Sequence, residues 1–411
     1  MKVTRCTHLF LFVTTLCCGT AMAEETVRLA LIETLSGPAA TNGIWSANHV
    51  RWAVDRVNAA GGVLGGKRIT LVEFDNKGSP QEAVIALNEV IDQKIRYVAG
   101  AVGSHISLAL SDAIAKHNKR SPETSVLFLN YGGLSTELTN EKCSFWHFRF
   151  EANADMKVEA LMRQVASNKS VGKVYLINQD YAYGQAVRSR MRQILAQRLS
   201  DLAIVGDDLV PLQKTKDFAP YVAKIKAAGA DTVLTSNWGP DLILLVRAAR
   251  DSGLATRFYT LHAHHVGTPI AIGATGIGHL VNVSSWSNNA EDSTLESYYL
   301  GYKRYYKQEW NMLPMKNAVE MWVKAIELAR SLDPLAVGKA LEGMRYDAGT
   351  GTMWMRGEDH QLMLPQYAYS FAKVGPGVKH DVEDTGFGFL TEARFAADET
   401  VLPTTCKMDR P

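Results

Sequence analysis

Three histidines, His262, His264 and His265, stand together in this sequence. Imidazoles so spaced can ligate a metal ion or donate hydrogen bonds. No Cys, Asp or Glu completes a metal set before Glu291, so hydrogen bonding is the favoured chemistry. Gly61, Gly66 and Lys67 imitate a phosphate-binding loop. Arg68 follows where Ser or Thr would hold magnesium. That motif also needs a strand before it and a helix after it, and here the order is reversed. A helix stop and turn is the better reading. Asp207 and Asp208 read as surface carboxylates. No Gly-x-Ser-x-Gly elbow is present. Cys143 and Cys406 lie in no catalytic signature. The chain therefore carries no visible nucleophile–base set, and neither an enzyme nor a cofactor or metal site is expected.

Gly103 and Ser104 are more informative. They open a helix predicted over Ser107 to His117. A hydroxyl and free backbone N–H groups at a helix start make a seat for a carboxylate or phosphate, the alternative being a plain cap. Trp45, Tyr131, Tyr181, Tyr183 and Trp238 are the aromatics of the loops. Several aromatics at strand ends point to an apolar, partly flat ligand sandwiched in a cleft.

The elements that would position these residues alternate along the chain. Apolar runs at Val27–Ile32, Ile69–Phe74, Tyr97–Ala99 and Val126–Leu129 read as strands. Helical periodicity fills the intervals, as in Ile44, Ala47, Val50, Val54 and Val57. The series restarts at Val174–Ile177 and runs to Phe258–Leu261. Helices dominate from Glu291 to Met344, and a β-rich tail follows Gly349. This is the pattern of right-handed βαβ units in an α/β fold with two doubly wound parallel sheets. Ligands of such sheets bind beyond the carboxyl ends of the strands.

The first residues read as an export signal. Lys2 and Arg5 precede an apolar run from Leu9 to Cys18, and Ala21-Met22-Ala23 offers a cleavage site. The run is shorter than the roughly 20 residues that span a bilayer. A signal over 1–23 predicts a periplasmic protein. Without Lys2 and Arg5, basic and acidic residues balance, which argues against nucleic acid as a partner. Cys6, Cys17 and Cys18 leave with the signal. The remaining pair, Cys143 and Cys406, predicts one disulfide in an oxidising compartment.

Several stretches together resemble the leucine/isoleucine/valine-binding proteins, type I periplasmic solute-binding proteins of ABC importers. They are Leu35-Ser36-Gly37-Pro38, the run Asn58 to Lys67, and Asp75-Asn76. Asp180-Tyr181-Ala182-Tyr183-Gly184 and Ala228-Gly229-Ala230-Asp231 add to them. The resemblance covers essentially all of the chain after the signal. It implies two lobes joined by a three-crossing hinge, lobe one being 24–148 plus 285–350 and lobe two 149–284 plus 351–411. It implies a monomer that closes on a small-molecule ligand and docks on a membrane permease.

Carried over residue by residue, the family's carboxylate-binding serine falls on Ser104. The backbone after the fourth strand falls near Gly132 and Gly133. Family aromatics fall on Tyr183 and Trp238. The first-loop tyrosine position carries Asn42, and the threonine near Gly133 falls on Leu134. The acidic residue that holds an ammonium falls on His262 or Ala263. Trp45, Tyr131 and His262 complete the expected ligand shell. A carboxylate seat without an ammonium partner points to a carboxylic acid lacking an α-amine, an aromatic acid given the lining. A branched-chain or other amino acid, an amide or urea, and a ligand-sensing rather than transporting role are the alternatives.

Overall fold

The structure is a computed structural model that describes residues 26–291 and 294–411. The expected signal 1–23, with Cys6, Cys17 and Cys18, lies outside the described residues. Among the described residues no helix is long and apolar enough to cross a membrane.

The first half of the chain folds as its apolar runs dictate. Strand β1 (Val27–Glu33) leads to helix α1 (Ala40–Ala59), then β2 (Ile69–Asp75), α2 (Pro80–Asp92), β3 (Tyr97–Gly100), α3 (Ser104–Arg120), β4 (Leu127–Asn130) and β5 (His147–Arg149). The strands form one parallel sheet in the order β2-β1-β3-β4-β5. Alternate residues of a strand face opposite sides. Leu29, Leu31, Leu127 and Leu129 enter one core, and Ala30, Ile32, Val98 and Phe128 enter the other. Both faces are therefore covered, as a parallel sheet requires. Helix α3 begins at Ser104, not at Ser107 as periodicity predicts. Gly103 turns the chain with φ 106°, and its carbonyl accepts from the N–H of Ile106 and Ser107. The polar first turn, Ser104-His105, carries no apolar signal.

Helix α4 (Ala154–Ser167) follows the first crossing. The second sheet then assembles from β6 (Lys173–Gln179), α5 (Ala182–Arg198), β7 (Ala203–Val210), α6 (Ala219–Ala227), β8 (Thr232–Thr235), α7 (Pro240–Asp251), β9 (Arg257–Thr260), α8 (Thr268–Ile272) and β10 (Leu280–Ser284). The chain returns to the first core as α9 (Glu296–Tyr306), α10 (Leu313–Ala329) and α11 (Pro334–Leu341). A small antiparallel sheet follows, β11 (Arg345–Asp347), β12 (Thr352–Met355) and β13 (Leu362–Met363). Finally β14 (Gln366–Lys373) and β15 (Phe387–Phe395) add antiparallel to the edge at β10, giving the order β15-β14-β10-β9-β8-β6-β7.

The sequence reading assigns everything after 350 to the second lobe. Met353, Met355, Leu362, Met363 and Leu364 are instead buried in the first core with Trp322 and Leu341. The reason is apolar: β12 and β13 carry methionines and leucines that α10 and α11 leave room for.

The crossings are bound to one another by Arg149, which is wholly buried. Its Nε donates to Gln361 Oε1 at 2.6 Å and its Nη1 to Ser135 O at 2.6 Å. Gly133 O and Thr139 Oγ1 accept its remaining bonds. Gln361 in turn donates to Glu151 O at 2.7 Å. The tail returns to the first sheet's side. Cys143 and Cys406 form a disulfide, and Thr404 Oγ1 donates to Thr139 O at 2.7 Å. Gly133 O keeps a bond from Asn130, but Arg149→Met would strand the other three oxygens, of Gln361, Ser135 and Thr139, in a dry site, each a loss of about 1–3 kcal/mol. Chemical denaturation should show a loss of at least ~3 kcal/mol; a loss below ~1 kcal/mol would remove Arg149 as the clasp.

Candidate functional site

In a doubly wound sheet the loops part where strand order reverses, leaving a crevice. In the first sheet that point lies between β1 and β3, and in the second between β6 and β8. The two crevices face each other. Between them lies a cleft that, together with the solvent at its mouth, holds ≈ 540 Å³ of atom-free space and is lined from both sheets. Two glycines bring the helices close enough to line it. A Cβ on Gly43 would sit 1.8 Å from Thr34 O, and one on Gly184 would sit 1.9 Å from Gln179 O. Each lets a helix start against the end of its own strand, which presents Asn42 and Trp45 on one side and Tyr183 on the other.

On the first-sheet wall the Ser104 hydroxyl is fixed. Its oxygen accepts from the N–H of Leu134 at 3.0 Å and of Ser135 at 2.9 Å. With its lone pairs taken, the hydroxyl proton is left for a cavity acceptor. Asn42, Trp45, Tyr131, Gly132 and Leu134 line the same wall. Gly133 does not. It turns behind the wall, where a Cβ would meet Ser107 Oγ at 2.3 Å, and its carbonyl accepts from Asn130 Nδ2 at 3.1 Å. Beneath the wall, Tyr131 donates to the buried Glu33 at 2.8 Å. Thr34 N and Val102 N donate to that carboxylate as well.

The second-sheet wall holds Tyr181, Tyr183, Trp238 and all three histidines. Trp238 Nε1 donates to Tyr181 OH at 2.8 Å. A chain of hydrogen bonds crosses the cleft. Asn42 Nδ2 lies 3.3 Å from His265 Nδ1, His265 Nε2 lies 3.2 Å from His262 Nδ1, and His262 Nε2 lies 2.9 Å from Tyr183 OH. Burial pushes His265 down to about 3 and His262 well below the ordinary range, and the Lys157 charge acts in the same direction. The imidazoles are thus neutral, with one proton each. An amide nitrogen only donates, so each ring accepts from the Asn42 side and donates toward Tyr183. Among the described residues, no three His, Cys, Asp or Glu side chains are placed to hold a metal ion.

Three polar residues of the cavity escape the sequence reading. Glu151 and Lys157 form an ion pair at 3.3 Å, with side chains 4% and 2% exposed. Both line the cavity. The strand-end position carries His262 and Ala263, and the cleft's carboxylate comes instead from the first crossing. Its Oε1 accepts from Ala152 N at 2.7 Å, while Oε2 has only long contacts, to Lys157 and, at 3.5 Å, to Ser285 Oγ. Ser46 is the third: its hydroxyl lines the cavity and has no hydrogen-bond partner among the described residues. Residues 151 and 157 look solvated in sequence; only the crossing turns them inward.

Burial pushes Glu33 up from an ordinary 4.5 to about 7. The folded state therefore favours its protonated form. The stability this allows is complete below pH 4.5 and declines as pH rises through 7. Glu33→Gln removes that decline. Between pH 5 and 8 the stability difference should move about 2.5 kcal/mol in favour of the variant. Parallel denaturation curves at the two pH values for both proteins would show no divergence if Glu33 titrates normally.

A Leu/Ile/Val-binding protein homolog 4 of Brucella melitensis is 29% identical over 403 residues, which is 95% of this chain and 94% of that one. The leucine-, isoleucine-, valine-, threonine- and alanine-binding protein of Brucella ovis, in a closed conformation, superposes with a TM-score of 0.84 at 29% identity. That match covers 94% of this chain and 100% of the other. A solute-binding protein of an ABC transporter from Rhodopseudomonas palustris BisB5, in complex with 3,4-dihydroxybenzoic acid, has a TM-score of 0.78 at 18% identity. It covers 90% of this chain and 98% of its own, and shows the fold alone. Residues 26–376 match the family model for periplasmic binding proteins. Two α/β sheets facing each other across one lined cavity, together with that match, place this chain in the type I periplasmic binding protein family.

Proposed function

We propose that this chain is the periplasmic solute-binding component of an ABC importer and that it closes on a small carboxylate. The observation that carries the reading is the polarity of the cavity. Ser104 OH, Tyr183 OH and the Lys157 ammonium are donors lining one cleft. Such a site is complementary to an anion, and its hydrogen bonds strengthen as water leaves. Trp45, Leu134, Tyr183, Trp238 and Met312 supply apolar walls for the ligand body. The two sheets serve as cores of two lobes, with the third crossing near 365. Residues 1–23 serve as a cleaved signal, and the closed monomer presents itself to the permease by a ligand-driven population shift.

Thermal shift against amino acids, aromatic acids, aliphatic acids, amides and urea tests the class. A ligand that binds only the folded state raises the melting temperature by mass action. Acids should stabilise the protein and urea and amides should not. Ser104→Ala should weaken binding of the best acid by roughly 10- to 100-fold, the worth of one hydrogen bond to a charged group. Stabilisation by urea alone would overturn the reading.

A second reading has its own observation. Glu151 Oε2 is buried with only long contacts, which leaves it open to an ammonium. An α-amino acid would then place its carboxylate at the donors and its ammonium at Glu151. Leucine and its amine-free analogue 4-methyl-2-oxopentanoate separate the two. If the amino acid is the ligand, leucine binds more tightly and Glu151→Gln erases its advantage. If the two acids bind equally, and equally in the variant, Glu151 serves only as the partner of Lys157.

A further inference from the structure

His264 stands apart from the chain that joins His262 and His265. Its ring Nδ1 lies 3.1 Å from Asn282 Nδ2. The orientation of the Asn282 amide is set independently. Its Oδ1 accepts from the backbone N–H of Ala263 at 2.7 Å, and a backbone N–H can only donate. Its Nδ2 also donates to Tyr369 OH at 2.7 Å. The carbonyl end of the amide is thereby fixed at the backbone and the NH2 end at the imidazole. His264 Nδ1 must accept, so a neutral ring carries its proton on Nε2. Burial keeps the ring neutral by pushing its pKa well below the ordinary range. Among the described residues no group bonds to Nε2, although the residue is 3% exposed and lines the cavity. Asn282 sits in the middle of β10, between β9 and β14, and both neighbours hold it rigidly.

We propose that His264 is a specificity-determining residue whose Nε2–H is a committed donor to the ligand, held in that tautomer by Asn282. The ligand then presents an oxygen acceptor to the second-sheet wall, through a carboxylate, carbonyl or hydroxyl oxygen. An ammonium or amide NH2 at this point meets a donor and is rejected. The inference rests on the proposed role of the cavity as a ligand site.

Two readouts test it. Long-range 15N NMR of the histidines, with the His264 signals identified by their loss in His264→Gln, reads the tautomer without ligand. A protonated Nε2 and bare Nδ1 are expected; the opposite tautomer overturns the proposal. Titration calorimetry then uses the acid from the thermal-shift panel that stabilises the wild type most. His264→Leu should bind it 10- to 100-fold more weakly. His264→Gln, whose amide N–H reaches to about the Nε2 position, should recover most of the loss, whereas His264→Asn should not. Equal loss in all three variants would reduce His264 to a packing residue. Failure of every compound in the panel to bind would count against the ligand site itself, while the NMR result would still decide the tautomer.

Discussion

The buried guanidinium of Arg149 is the interaction on which the cleft depends. A charge wholly removed from water must be surrounded by acceptors. Arg149 obtains them from the third crossing through Gln361 and from the loop 133–139 through carbonyl and hydroxyl oxygens. Burial draws its pKa down to about 9, still well above neutrality. The loop it holds by its carbonyls is the loop whose N–H groups hold the Ser104 hydroxyl. The Ser104 hydroxyl is thus fixed from behind by a buried cation that does not itself line the cavity. Gly133 belongs to that rear support, which is why it is absent from the wall.

The same principle of exhausted partners runs through the cavity. Ser104, Tyr181 and Tyr183 each have an acceptor position occupied by protein, by backbone N–H at Ser104, by Trp238 at Tyr181, and by a histidine at Tyr183, whereas the Ser46 hydroxyl has no partner among the described residues. What remains toward the space is protons. A flexible hydroxyl in water serves as donor or acceptor alike. Here the protein has removed the choice, and preorganisation of this kind is what makes a polar pocket selective. Glu151 is the exception, a carboxylate shared between a lysine and whatever enters.

Much of this is legible in the sequence. Strand and helix alternation follows from apolar runs of period two and 3.6, and the strand ends locate Tyr131, Tyr181, Tyr183 and Trp238 near one another, whereas Trp45 stands on α1. Cys143 and Cys406 pair as their number predicts. Other features are invisible there. Lys157 lies on an ordinary amphipathic helix, and nothing local distinguishes it from a solvated lysine. Glu151 precedes that helix in what reads as a loop. Their burial is a property of the crossing, where two chain segments far apart in sequence meet. The run 351–364 reads as tail, yet it completes the first core, because its methionines fill space that only the folded α10 and α11 define.

The return of the tail has a mechanical consequence. After β15 closes the second sheet, the last residues run back to the first, where a disulfide and the bonds of Thr404 and Arg410 secure them. Four lengths of chain, not three, therefore run between the two bodies. Three hinge strands side by side permit both bending and torsion. A fourth tether, anchored covalently at its far end, resists torsion because rotation would draw it taut. Twisting of one body against the other is therefore opposed more strongly than bending between them.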